Sequence, residues 1–118
     1  MKTKTIQVVG LTFVEGYPQN LHKLAVVLDQ TTVESPAVVL MRNPDNEHDP
    51  NAVEVHIPSL QEGLVGHLPR EVAAVVAPML DVGYRFQAFV HAVRIRDEHP
   101  DRPGLDIELT PITKDEGT

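Results

Sequence analysis

Val53, Val55 and Ile57 alternate with Glu54 and His56, the period of two that marks a strand with one buried and one wetter face. Leu105, Ile107 and Leu109 alternate in the same way with Asp106, Glu108 and Thr110, and a longer alternating run extends from Tyr84 to Ile95. Lys4 to Val9 is rich in strand-forming residues and stops at Gly10, predicting a first strand that leads into a loop carrying Phe13, Gly16 and Tyr17. Val33 to Met41 predicts another strand, and Pro36 puts its start at a sheet edge because proline cannot donate to a ladder. Leu64 to Leu68 predicts a short strand reached through a hairpin connection over Ser59 to Gly63, with Gly66 permitting close approach of another backbone. Arg96 to Gly104, between the last two alternating runs, is charged and is expected to be a loop.

Two stretches follow the helical period instead. Leu21, Leu24, Ala25 and Leu28 recur at i, i+3, i+4 and i+7 between Pro18 and Asp29, which predicts a short amphipathic helix, although Leu24 to Leu28 also fits a strand. Val72, Val76, Met79 and Leu80 form one apolar stripe after Pro69, a residue suited to the first helical position, and Asp81-Val82-Gly83 ends it. Pro78 is expected to distort the last turn. Five to six strands with one or two inserted helices predict a mainly β domain, and closure into a small antiparallel barrel is the usual way such a domain removes exposed edges.

The 118 residues suffice for one core and not for two, so a single domain over 1–118 is expected. The net charge of −7 opposes sequence-independent binding along a nucleic-acid backbone, so nucleic-acid contact has to be local. The absence of cysteine excludes disulfides, thiolate metal sites and a cysteine nucleophile. Neither a signal-peptide pattern nor an apolar run of membrane-spanning length is present, and a soluble, cytoplasmic protein without membrane contact is expected.

The chemistry concentrates between Arg42 and Asn51. Pro44 and Pro50 fix φ there, while Asn43, Asp45, Asn46, Asp49 and Asn51 can bond neighbouring backbone, so the loop is built to hold one shape on a rigid strand. His48 and Asp49 suit a stacking imidazole and a hydroxyl-accepting carboxylate, but an aspartate in a turn also braces that turn for purely local reasons. Arg70 at a helix start can meet a phosphate together with the free N–H groups of the first turn, or simply face Glu71 or Asp81. The six histidines fall in no ligand spacing. Asp45-x-Glu47-x-Asp49 fails as a calcium loop, because Pro50 stands where glycine must turn the chain and His56 where the bidentate glutamate belongs. Gly63-Leu64-Val65-Gly66 lacks the lysine and hydroxyl residue of a phosphate loop, and neither Ser35 nor Ser59 sits in a nucleophile elbow. No enzyme and no cofactor are expected.

Arg42-Asn43-Pro44-x-Asn46-x-His48-Asp49-x-Asn51-Ala52-Val53, then Gly63-Leu64-Val65-Gly66-His67-Leu68-Pro69, and before both Val8-Val9-Gly10-Leu11-x-Phe13, together resemble the HIRAN domain. The likeness runs over about residues 6–95, leaving a C-terminal strand at about 104–111 and a tail, expected to be disordered, at 113–118. It implies a compact barrel of the OB or SH3-like kind carrying helices. It also implies DNA binding with recognition of a free 3′ end, as in repair and remodelling helicases, here in the stand-alone bacterial or phage form. Carried onto this sequence, the pocket for the terminal nucleotides comprises Phe13 as an aromatic wall, Asn46, His48 and Asp49 from the central loop, and His67 with Arg70 beside it. The chain departs from the pattern of strong DNA binders at His48, where tyrosine is usual, and at Thr12, where a basic residue would help. The expected partners are single-stranded DNA ends and a helicase or nuclease. The alternative is a protein-interaction module that uses the acidic surface or a sheet edge without DNA.

Overall fold

The computed structural model describes residues 3–30, 35–60 and 63–112. In chain order these form β1 (Lys4–Gln7), a one-turn 3-10 helix (Leu11–Phe13), α1 (Tyr17–Gln30), β2 (Val39–Arg42), β3 (Val53–His56), β4 (Leu64–His67), α2 (Arg70–Asp81), β5 (Phe86–Arg96) and β6 (His99–Pro111). The strands make two antiparallel sheets of three, in the orders β1-β6-β5 and β2-β3-β4. Isolated bridges join the sheets at two seams. At one, Val9 and His67 exchange main-chain bonds of 2.9 and 2.8 Å. At the other, Ala37 lies opposite Phe89, with Val38 donating to Ala88 at 2.9 Å and Val90 to Pro36 at 3.0 Å. Among the described residues the mainly β domain carrying two helices is thus two sheets bridged at two points, without continuous ladders across the seams.

The alternation read from the sequence decides what fills the interior. Val53, Val55, Ile57, Leu105 and Ile107 are fully buried, and Val90 nearly so. Each such side chain removed from water contributes roughly 1.5–3 kcal/mol. Leu21 and Leu24 of α1 join this core, so the helical reading of that stretch holds and the strand alternative does not. Pro69 stands just before α2, at the N-cap position and not the first helical one, and Pro78 is carried inside the helix. Gly66 is needed for packing: a Cβ there would lie 2.6 Å from the Val9 carbonyl and 2.7 Å from a Val8 methyl, so β4 and the β1 segment meet at a distance only glycine permits.

The Arg96–Gly104 stretch departs from expectation, since β6 begins at His99 and only a tight turn at Asp97 and Glu98 separates it from β5. Pro100 and Pro103 remove ladder donors, which makes the segment read as a loop. Tertiary contacts supply what the ladder lacks: the His22 ring nitrogen lies 2.6 Å from the Pro100 carbonyl, and Pro103 is fully buried. A register shift between Arg94 and Arg96 absorbs the extra residues. The strand expected over Val33 to Met41 is regular only from Val39, and Val33 and Glu34 lie outside the described residues. So do Gln61 and Glu62 of the expected hairpin connection, and the 113–118 tail. Among the described residues no helix is long and apolar enough to cross a membrane.

Candidate nucleic-acid interface

The segment between β2 and β3 owes its shape to its own side chains. Asn46 turns its Oδ1 back to accept the main-chain N–H groups of His48 (2.8 Å) and Asp49 (3.1 Å). Asp49 Oδ1 accepts the N–H of Asn51 at 2.9 Å, and the Asp49 carbonyl accepts that of Ala52 at 3.0 Å. These are asparagine- and aspartate-centred turns, in which a short polar side chain replaces a backbone partner. Both residues are half-buried, whereas His48 is exposed.

Arg42 closes the loop from below. One terminal nitrogen donates to the carbonyls of Pro50 and Ala52, both at 3.0 Å, while Nε and the other terminal nitrogen grip the two oxygens of Asp81 at 2.9 and 3.2 Å. The planar guanidinium fits this four-acceptor arrangement in a way an ammonium cannot. The hydrogen bond from Arg42 holds the Asp81 carboxyl below the ordinary aspartate range, and the Arg42 guanidinium is correspondingly raised, with Asp49 adding a smaller electrostatic contribution. Asp81 is therefore engaged by Arg42, not by Arg70. This link between the loop and the end of α2 has no local sequence signal, because its two halves lie 39 residues apart.

The wetter face of β3 carries a second polar chain. Glu54 accepts from Asn43 Nδ2 at 3.1 Å, and its other oxygen lies 2.9 Å from His56 Nε2. Glu54 stands directly opposite His67 in the register of β3 with β4. His67 is half-buried and its ring lies against Gly10, whose added Cβ would come within 3.5 Å of Nδ1. The single-residue alternation of β3 makes Glu54 visible as surface, but its partners appear only once the strands are paired.

Gly10 opens the 3-10 turn at φ 71°, a left-handed conformation that glycine adopts without steric cost. Leu11 is then buried while Phe13 projects with 92% exposure, far more than an aromatic ring retains in a core. Tyr17, expected beside it in the loop, is instead buried at the start of α1. On the other side of His67 the chain passes through Pro69 into α2, where Arg70 is exposed and Pro69 offers no side-chain cap.

The pairing thus groups the expected residues in two sets. Asn46, His48 and Asp49 share the loop. Phe13, His67 and Arg70 lie along the segments joined by the Val9–His67 bridge and the turn into α2. The sets meet where Leu68 donates to Val53 at 3.0 Å, next to the last residues of the loop.

The HIRAN domain family model matches residues 3–105. Over 52 residues the sequence is 42% identical to a Fanconi-associated nuclease 1 homolog of Oryza sativa subsp. japonica, a match covering 43% of this chain and only 5% of that protein. Among solved structures, the HIRAN domain of human HLTF is similar with a TM-score of 0.64 and 22% identity, over 97% of this chain and 78% of that one. A protein from Lactobacillus plantarum is similar with a TM-score of 0.62 and 22% identity, over 92% and 96% of the two chains. These structural likenesses establish the fold, the family match spans most of the sequence, and the chain belongs to the HIRAN domain family.

Proposed function

We propose that this domain is a non-enzymatic module that binds single-stranded DNA and recognises its 3′-hydroxyl end. Membership of a family known for DNA binding supports the reading, as does the match of the Asn46-x-His48-Asp49 block to that family. The observation that carries it is a half-buried carboxylate, Asp49, whose Oδ1 is committed to the loop while no described residue bonds its Oδ2. A fixed carboxylate oxygen accepts a hydroxyl hydrogen and repels a terminal phosphate, because two anions within about 4 Å in a partly desolvated site cost several kcal/mol. Phe13 supplies an exposed ring for base stacking, and Arg70 a charge for one nearby phosphate.

The overall acidity limits such a module to few phosphates, so affinity has to come from stacking and the terminus. Fluorescence anisotropy with one labelled strand ending in a 3′ hydroxyl, and with the same strand ending in a 3′ phosphate, tests the reading. The hydroxyl strand binds more tightly, with a shallow salt dependence of about one to three released ions. Equal affinities, or no binding at low salt, would refute end recognition. A helicase or nuclease partner is part of the same proposal, supported by the nuclease relative.

A further inference from the structure

A second surface lies at the seam between β2 and β5, running up to the start of the β2–β3 loop, and its main-chain geometry specifies what it can hold. The ladder there pairs Pro36 with Val90 and Val38 with Ala88. Continuing the same antiparallel register, the next bonded pair is Leu40 with Phe86. That pair does not form, and the two sheets separate instead. On β2, Asn43 donates to Ala52, so the alternating bonds to β3 fall on Met41 and Val39 and leave the N–H and carbonyl of Leu40 and Arg42 directed away from β3. On β5, Arg85 accepts from Ile112, so the groups of Phe86 likewise point away from β6.

Where the strands part there is a cleft of about 360 Å³ whose lining is mostly apolar or aromatic, including Leu40, Leu80, Tyr84, Phe86 and Ile112, with Arg85 as its one charged residue, within the usual range of ligand sites, roughly 300–1,000 Å³. Val39, Met41 and Ile112 around it are exposed. Natural sheets protect such edges with charge or proline. Here Pro36 guards only the part already paired, and the guanidinium of Arg42 is turned to Asp81. Asp45 and Glu47, both exposed, follow Arg42 in the loop that continues β2.

We propose that this β2 edge is a docking site for an extended peptide of another protein, apolar at alternate positions and basic at the end that lies beside Asp45 and Glu47. The segment runs antiparallel to β2, bonds the main chain of Leu40 and Arg42, and lays its apolar side chains on Leu80, Phe86 and Ile112. This is strand addition, in which backbone bonds give affinity and the cleft selects side chains. It uses none of the residues proposed for the DNA end, although its acidic end belongs to the same loop.

The probe is a fluorescein-labelled peptide, Lys-Lys-Ser-Val-Thr-Val-Thr-Ile-Ser, titrated with the intact chain. Saturable binding is expected, about tenfold weaker when both lysines are replaced by glutamate, and at least tenfold weaker when the peptide amides facing β2 are N-methylated. Hydrogen exchange then shows the Leu40 amide protected by the unmodified probe. Leu40→Pro, which removes the outward N–H together with the Leu40 side chain that lines the cleft, abolishes binding while Phe13→Ala leaves it unchanged. The N-methylated probe gives the same information should Leu40→Pro misfold. No binding of the unmodified probe, insensitivity to N-methylation, or a Leu40 amide already protected in a self-associated dimer would each overturn the proposal.

Discussion

The loop between β2 and β3 and the 3-10 turn after β1 both carry residues proposed to touch DNA, yet they are held in opposite ways. In the loop, Asn46, Asp49 and Arg42 spend side-chain groups on nearby backbone, and the exposed His48 is left over. In the turn, backbone bonds suffice: Phe13 donates to Gly10 at 3.2 Å, Val14 to Leu11 at 3.1 Å, and the Phe13 ring is left in solvent. The difference teaches that a polar motif and an exposed aromatic do separate work. The motif mostly fixes geometry and leaves one Asp49 oxygen unbonded among the described residues, while the Phe13 ring stays exposed. Shape and stacking should therefore fail separately under mutation.

The largest effect is expected where the two regions are joined. Gly66→Ala forces a methyl against the Val9 carbonyl and a Val8 side chain, neither of which can yield without moving β1. A loss of about 3 kcal/mol is expected by urea unfolding, at the upper end for overpacking. A change below about 0.5 kcal/mol would mean that the strand approach is looser than described.

Next comes Arg42→Ala, which removes donors from two loop carbonyls and the grip on α2. About 2 kcal/mol of stability is lost, as for hydrogen bonds to a charged group. Faster amide exchange is expected in the loop and at the end of α2, with Phe13 and its turn unaffected. Uniform acceleration that includes the Phe13 turn would show that the two regions are not held separately.

A smaller effect is set by pH. Asp81 has its folded-state pKa lowered, first by the hydrogen bond from Arg42, so its contribution is present above the unfolded aspartate value and is lost as pH falls through the folded one. Asp81 is well exposed, so the effect is modest. Asp81→Asn makes stability less steep on the acid side of the ordinary aspartate range and leaves the neutral range nearly flat. An unchanged acid limb would show that other carboxylates carry it.

Much of this was legible because the physics is local. The alternation of Val53, Val55 and Ile57 fixes which face is buried, whereas Gly66 shows in the sequence only that some backbone can come close, and that it is the backbone of Val8 and Val9 is set by the fold. The helical stripe of Leu21, Leu24 and Leu28 gave α1, although its start at Tyr17 was hidden because the ring reads equally well as a loop aromatic. The β6 segment from His99 to Pro103 carries no strand signal of its own, because its support comes from α1, remote in sequence. The same holds in the candidate site. The bracing by Asn46 and Asp49 follows from residue type and spacing, whereas the Arg42–Asp81 grip and the Glu54–His67 pairing depend on tertiary register that no local pattern encodes.

The most direct test of the division between terminus and base uses four proteins and two strands. Anisotropy is measured for the parent chain, Asp49→Ala, Phe13→Ala and the double variant, each with the 3′-hydroxyl and the 3′-phosphate oligonucleotide. Phe13→Ala is expected to weaken both strands equally, by about 1–3 kcal/mol for one stacked base. Asp49→Ala is expected to narrow the preference for the hydroxyl strand, by the same factor with or without the ring, since independent sites add. A hydroxyl preference that survives Asp49→Ala intact, or that disappears with Phe13→Ala alone, would contradict the account.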